Sequence, residues 1–242
     1  MLIDEIINDD KVSLGKVKMS ADDIKEMGQV PYPLHKTASF YQFVGPPASG
    51  KTHLWCNMIL KKKRFYNQLF ENVHIFSSSL HTVSEKIGLE PDRLHDGLDM
   101  GELQAVLDSV PRDERCLIIL DDVISSVTKN LKPFLKMVLN RRHVGKGCHV
   151  WLISQKLNMI PLELRACSNG LFMFKTPNGS ELETLYKEYF NMDKDEYRQI
   201  INHCWKERHD FLFLRLDDVE TNKYFRNFNR LVLSCDSVKK YE

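Results

Sequence analysis

Two hydrophobic rhythms alternate along the chain. Short, mostly apolar runs recur at Ser39–Val44, Val73–Phe76, Cys116–Leu120, Cys148–Ser154, Leu171–Phe174 and Phe211–Leu216, that from Cys116 to Leu120 being continuous. Runs of this length without polar alternation predict strands covered on both faces, as the strands of a parallel sheet are. Between them the apolar positions fall into helical period. Leu54, Trp55, Met58 and Ile59 share one face of a helix over Lys51–Leu60, and Leu98, Leu103, Val106, Leu107 and Val110 form a second stripe. Phe134, Leu135, Val138 and Leu139 form a third, in a helix that Asn130 caps and Gly145 closes. Two more helices are expected around Glu181–Tyr189 and Asp193–Glu207. Beyond Leu216, Asp217-Asp218 and Thr221-Asn222 read as a hairpin turn into a strand over Tyr224–Phe228. Strands alternating with helices define an α/β fold, with a mostly parallel central sheet flanked by helices.

The ends read differently. Residues 1–38 read as an irregular, charged leader, with a short helix capped by Ser20 and Asp23 and ended by Gly28, Pro31 and Pro33. Residues 39–230 form one core with a C-terminal hairpin, and residues 231–242 a tail. A chain of 242 residues that is 43% hydrophobic can bury the core of one large domain. Lys+Arg number 34 against 33 Asp+Glu, a net charge of +1, which excludes a protein that coats nucleic acid with its whole surface but permits a local basic face. Such patches occur at Lys61-Lys62-Lys63-Arg64, at Lys129, Lys132, Lys136 and Lys146, and at Lys239-Lys240. No apolar run approaches the ~20 residues of a membrane span, and the acidic start is unlike an export signal. Cys56, Cys116, Cys148, Cys167, Cys204 and Cys235 are scattered without a C-x-x-C pair, as reduced thiols of a cytosolic protein are. His203, Cys204 and His209 match no zinc spacing.

The chemistry concentrates in three places. Gly45-Pro46-Pro47-Ala48-Ser49-Gly50-Lys51-Thr52 fits G-x-x-x-x-G-K-[ST] in full, between a predicted strand and a predicted helix. Glycines let such a loop curl its N–H groups around phosphates, and the helix that follows adds its positive end. Lys51 then reaches the β- and γ-phosphates of ATP, and the Thr52 hydroxyl ligates Mg²⁺. Asp121 and Asp122 end the apolar run from Cys116, at the sheet edge that the phosphate loop shares. Asp121 is the expected metal-side acid, as in a Walker B strand, and Asp122 the base that orients and deprotonates water. Paired acids favour hydrolysis over phosphoryl transfer, and no N-K-x-D guanine motif is present. Gln155, ending the strand Cys148–Ser154, is placed to sense the γ-phosphate and the attacking water; a polar strand cap is the plainer reading. Arg141, Arg142 and Arg165 are candidates for an arginine finger offered to a neighbouring subunit. Helix-end cations are also favoured by the helix dipole alone.

In order along the chain, the phosphate loop, the strand ending Asp121-Asp122, the stretch Asn140-Arg141-Arg142-His143-Val144-Gly145-Lys146-Gly147, the strand Val150-Trp151-Leu152-Ile153-Ser154-Gln155 and the Pro161–Arg165 stretch resemble a family. They resemble the viral DNA-packaging ATPases of the FtsK–HerA superfamily, found in poxviruses, other large DNA viruses, virophages and polinton-like elements. The resemblance covers roughly residues 39–215. It implies a RecA-like P-loop NTPase core of the ASCE type, with the strand Cys148–Ser154 lying between the Walker A and Walker B strands. It implies a hexameric or pentameric ring that drives double-stranded DNA into a preformed capsid, docks on capsid vertex or portal-like proteins, and works in the host cytoplasm at the viral factory or on the virion. One position departs: cellular translocases of the superfamily carry Glu as base where this chain has Asp122, although paired aspartates occur in the viral branch. The rival readings are a P-loop nucleotide kinase, which needs an arginine-rich lid, and a nucleotide-gated capsid assembly factor that does not translocate.

Overall fold

Apolar runs that lack polar alternation must be covered on both faces, and the fold does this with one sheet between two layers. The computed structural model describes residues 2–6, 30–60, 65–66, 69–80, 87–218 and 222–234. The strands are β1 (Leu2–Ile6), β2 (Phe40–Val44), β3 (Asn72–Ser77), β4 (Leu94–Asp96), β5 (Cys116–Asp121), β6 (Cys148–Ser154), β7 (Gly170–Phe174), β8 (Phe211–Arg215), β9 (Tyr224–Arg226) and β10 (Asn229–Ser234). The helices are α1 (Lys51–Leu60), α2 (Met100–Ser109), α3 (Ile124–Lys129), α4 (Leu131–Asn140), α5 (Leu162–Ala166), α6 (Gly179–Tyr189) and α7 (Lys194–Cys204). The strands form one sheet in the order β1-β10-β9-β8-β7-β2-β6-β5-β3-β4. From β7 to β4 all neighbours are parallel, and from β7 outward to β1 they are antiparallel. As the resemblance implied, β6 lies between the strand that precedes the phosphate loop and the strand that ends in Asp121.

Every residue of β2, β5, β6 and β7 is buried. On one face Phe40, Val44, Ile118, Leu120, Leu152 and Leu171 pack against α2, α4, α6 and α7. On the other, Tyr41, Phe43, Trp151, Phe172 and Phe213 pack against Leu54, Trp55 and Met58 of α1. Phe43 and Phe172 stack at 4.5 Å, and Phe172 and Phe213 at 4.3 Å, so the second core is an aromatic slab along adjacent strands. Each such ring taken out of water contributes roughly 1.5–3 kcal/mol.

Several elements differ from the sequence reading, for identifiable reasons. Asn130 caps nothing with its side chain: α3, unforeseen, runs up to it, and its amide donates to Ser126 O. The arginine stretch that was expected to extend the helix to Gly145 is a separate 3-10 turn over Arg141–His143. The strand expected over Tyr224–Phe228 turns at Asn227, where φ is +56°, and returns as β10, so residues 231–234 belong to a strand and not to a tail. Within the expected leader, Leu2–Ile6 pairs with β10, and Val30, Leu34 and His35 are buried. His35 is tied down by Tyr41 Oη and Asp217, each at 2.7 Å. The helix expected from Ser20 to Gly28, the basic run Lys61–Arg64, Cys235 and Lys239-Lys240 lie outside the described residues. Cys56, Cys116, Cys148 and Cys204 are buried, and Cys167 is half-buried.

His149 of β6 is sealed in the core with its Nδ1 2.8 Å from Ser39 Oγ, and burial pushes its pKa down to about 3. A histidine that stays neutral when folded but takes up a proton when unfolded stabilises the fold above its ordinary pKa of ~6.5, and that stability drains as pH falls below it. Lowering pH from 7 to 5 therefore costs about 2 kcal/mol through His149 alone. Urea unfolding of His149→Gln, which does not titrate there, will show a correspondingly smaller loss between the two pH values.

Candidate functional site

Parallel strands deliver their carboxyl ends to one edge of the sheet. Here β2 runs into Gly45–Thr52, β5 into Asp121-Asp122 and β6 into Gln155, side by side. Gly45 N donates to Ser154 O at 3.2 Å, which fastens the loop to the end of β6. On its other flank a Cβ at Gly45 would stand 2.6 Å from Phe174 Cβ and 2.8 Å from Ser49 Oγ, so only glycine fits. Ala48 (φ +59°) and Gly50 (φ +112°) turn the chain through the left-handed region before α1 begins at Lys51.

Lys51 is 9% exposed, and its Nζ donates to Gly45 O at 2.5 Å and Pro46 O at 2.9 Å, folded onto the loop where phosphate oxygens would go. Burial lowers its pKa, while the charges of Asp121 and Asp122 pull it back up. Asp121 is buried at the end of β5, and Thr52 is half-buried at the first turn of α1. A hydroxyl and a carboxylate are hard oxygen donors that fit Mg²⁺, which takes one or two protein ligands and leaves the rest to phosphates and water.

Asp122 is exposed and has φ +57°, a backbone conformation that Asp and Asn adopt more readily than other side chains. Ser78 Oγ donates to its carbonyl at 3.1 Å. Gln155 Nε2 lies 3.2 and 3.1 Å from the two carboxylate oxygens of Asp122 and donates to them. The predicted base and the predicted sensor are thus in direct contact.

The loop after Gln155 is held rigid. Glu181, 2% exposed, accepts from Leu157 N at 2.8 Å and from Thr176 Oγ1 at 2.8 Å. Arg165 donates to both Glu188 oxygens (2.8 and 2.6 Å) and to Ile160 O at 2.6 Å. Its guanidinium is spent on this brace. Arg141 is likewise buried, donating to Val138 O at 2.6 Å and Asn169 Oδ1 at 2.7 Å. Arg142 alone of the three is exposed, and no hydrogen bond or ion pair holds it among the described residues. It precedes β6, so it lies at the opposite sheet edge from the phosphate loop, roughly 20 Å away at ~3.3 Å per strand residue.

Two contributors escaped the sequence reading. His209, weighed there only as a metal ligand, sits with φ +74° and its Nδ1 3.0 Å from Ser49 O of the phosphate loop, whereas Cys204 is sealed in the core. Phe174, at the end of β7, backs the same loop. Nothing local to either residue signals this; antiparallel β8 brings His209 back to the loop.

No protein-family model matches the chain, and no curated protein matches it in sequence. Solved structures do match in fold. The genome packaging NTPase B204 from Sulfolobus turreted icosahedral virus 2, in complex with ATP-gammaS, is similar with a TM-score of 0.54 at 13% identity, over 78% of this chain and 96% of that one. The DNA-packaging ATPase B204 from Sulfolobus Turreted Icosahedral Virus is similar with a TM-score of 0.54 at 11% identity, over 83% of this chain and all of that one (100%). The fold is that of a RecA-like P-loop ATPase, as the sequence led one to expect.

The arginines make a direct contrast. Arg141→Ala will lower unfolding stability by about 2–3 kcal/mol, because Val138 O loses its buried partner and Asn169 loses a charged one. Arg142→Ala will stay within about 0.5 kcal/mol of the parent, as exposed substitutions do. Denaturant titration of both variants tests this.

Proposed function

We propose that this chain is an ATPase that couples hydrolysis to movement of double-stranded DNA into a viral capsid. The observation that carries the reading is the convergence on one sheet edge of the phosphate loop, the paired acids and Gln155, with Gln155 already bonded to Asp122. ATP lies along Gly45–Thr52, with Lys51 released from the Gly45 and Pro46 carbonyls to the β- and γ-phosphates. Thr52 and Asp121 would hold Mg²⁺, which would supply positive charge against the phosphate oxygens. Asp122 accepts the proton of the attacking water, and Gln155 orients that water and contacts the γ-phosphate. While Gln155 donates to Asp122 the base is occupied; turning its amide toward a γ-phosphate frees the carboxylate, so hydrolysis waits for a complete site.

Arg142 is our choice for the arginine that completes a neighbour's site: it is exposed, and too far from its own loop to act within one subunit. That choice requires a ring. Met159 (47% exposed) and Leu162 (60% exposed), just past Gln155, offer apolar surface for a subunit contact. Lys129, Lys132 and Lys136 are exposed along α3 and α4 and form the basic face we assign to the DNA backbone. Grip on phosphates makes translocation independent of sequence and sensitive to salt. Residues 39–230 act as the motor core, docking on a capsid vertex protein. The same reading has the motor work in the cytoplasm of the host cell. Among the described residues no helix is long and apolar enough to cross a membrane.

ATP hydrolysis measured with and without double-stranded DNA tests the proposal. The rate will rise with DNA, and Lys51→Ala will abolish it. Asp122→Asn will lower kcat by about 10²–10⁴, the usual contribution of a general base. Replacing Lys129, Lys132 and Lys136 together with Glu will remove the stimulation by DNA. A rate indifferent to DNA, with phosphoryl transfer to a nucleoside monophosphate, overturns the motor in favour of a kinase.

A further inference from the structure

The phosphate loop has two flanks, and only one is accounted for by hydrolysis. On the β6–β5 side stand Gln155, Asp122 and Asp121, the groups that act at the terminal phosphate. A polyphosphate laid across the loop with its terminal phosphate on that side has to leave on the other, toward β7 and β8. On that side lies a cavity of about 400 Å³, lined by Gly50, His53, Leu54, Phe174, His209 and Phe211. Its size falls within the ~300–1,000 Å³ of small-molecule sites. Phe174, Phe211 and Leu54 are 2%, 1% and 1% exposed and belong to the fixed aromatic core, so they form a rigid apolar floor. His53 and His209 are exposed and form the walls. His209 is aimed by its left-handed backbone and by the contact of its Nδ1 with Ser49 O, which sets a flat ring beside the mouth of the loop.

We propose that this cavity holds the base of the nucleotide by its ring faces, with His209 as the stacking wall, and does not read the base's hydrogen-bonding edge. The proposal rests on the nucleotide-binding reading above and goes beyond it by assigning the base site and its selectivity. Among the described residues, no carboxylate, amide or guanidinium side chain lines the cavity. Its polar side-chain atoms are those of two imidazoles, one of them engaged with Ser49 O. An imidazole ring nitrogen donates or accepts according to tautomer, so it cannot separate the edge of adenine from that of guanine. Stacking depends on ring area and is indifferent to the edge. The site therefore takes either purine nucleotide and disfavours pyrimidines.

Calorimetric titration of the full chain with ADP, GDP and pyrophosphate, each with Mg²⁺, tests this. ADP and GDP will bind within about threefold of each other. His209→Ala will weaken ADP about tenfold, in line with the loss of one base–ring stack, and leave pyrophosphate within twofold. His209→Phe, which keeps the ring but not the bond to Ser49 O, will restore ADP binding. If His209→Ala weakens ADP and pyrophosphate alike and Phe does not rescue, His209 only braces the loop and the proposal falls. Unchanged ADP binding in His209→Ala, or more than tenfold preference between ADP and GDP, overturns it as well. Wild-type chain that binds neither ADP nor pyrophosphate overturns the nucleotide reading itself, and with it this one.

Discussion

The site depends on how tightly the start of the phosphate loop is gripped. Gly45 N is bonded to the last carbonyl of β6, while on the opposite flank Phe174 of β7 approaches so closely that no side chain fits. The loop is therefore clamped between the two parallel neighbours of β2, and its curvature is a property of the sheet as much as of its own sequence. In the proposed reading, that clamp sets which way a bound nucleotide points. The carboxylates lie on the β6 side and the aromatic floor on the β7 side, so the two ends of the ligand meet opposite chemistries.

The loop that carries Gln155 has little freedom of its own. Glu181 holds Leu157 N, and Arg165 holds Ile160 O while gripping Glu188 of α6. Two routes remain by which Gln155 can change partners. Its side chain can rotate, or α5 and α6 can move with the loop as one body. A buried carboxylate such as Glu181 is costly unless its oxygens are satisfied, and here both are, which makes this brace specific.

How much of this was legible in the sequence follows from how local each cause is. Cys148–Ser154 was read residue for residue, because its apolar stretch Val150–Ile153, between Gly147 and Gln155, has few alternatives. The phosphate loop and Asp121-Asp122 were legible because their chemistry needs adjacent residues. The short helix α3, with the sequence ISSVTK, has weak helix formers and is set by packing of Ile124 and Val127. β4 depends on pairing with β3, and β10 on pairing with the distant β1, which leaves little local trace, whereas β9 falls within the strand read over Tyr224–Phe228. The three arginines look alike in sequence. What separates them is the carbonyl of Val138, the amide of Asn169 and the carboxylate of Glu188, none predictable from spacing.

The antiparallel extension of the sheet has a consequence for biosynthesis. Leu2–Ile6 pairs only with Asn229–Ser234, so among the described strands the first to leave the ribosome bonds to the last. The parallel centre from β2 to β7 can form while the residues that follow it are still being made, but the β1 edge cannot close until Asn229–Ser234 emerges. Such long-range pairing is the slow part of assembling a sheet. Until Asn229–Ser234 is made, Leu2–Ile6 lacks the strand that covers it among the described residues.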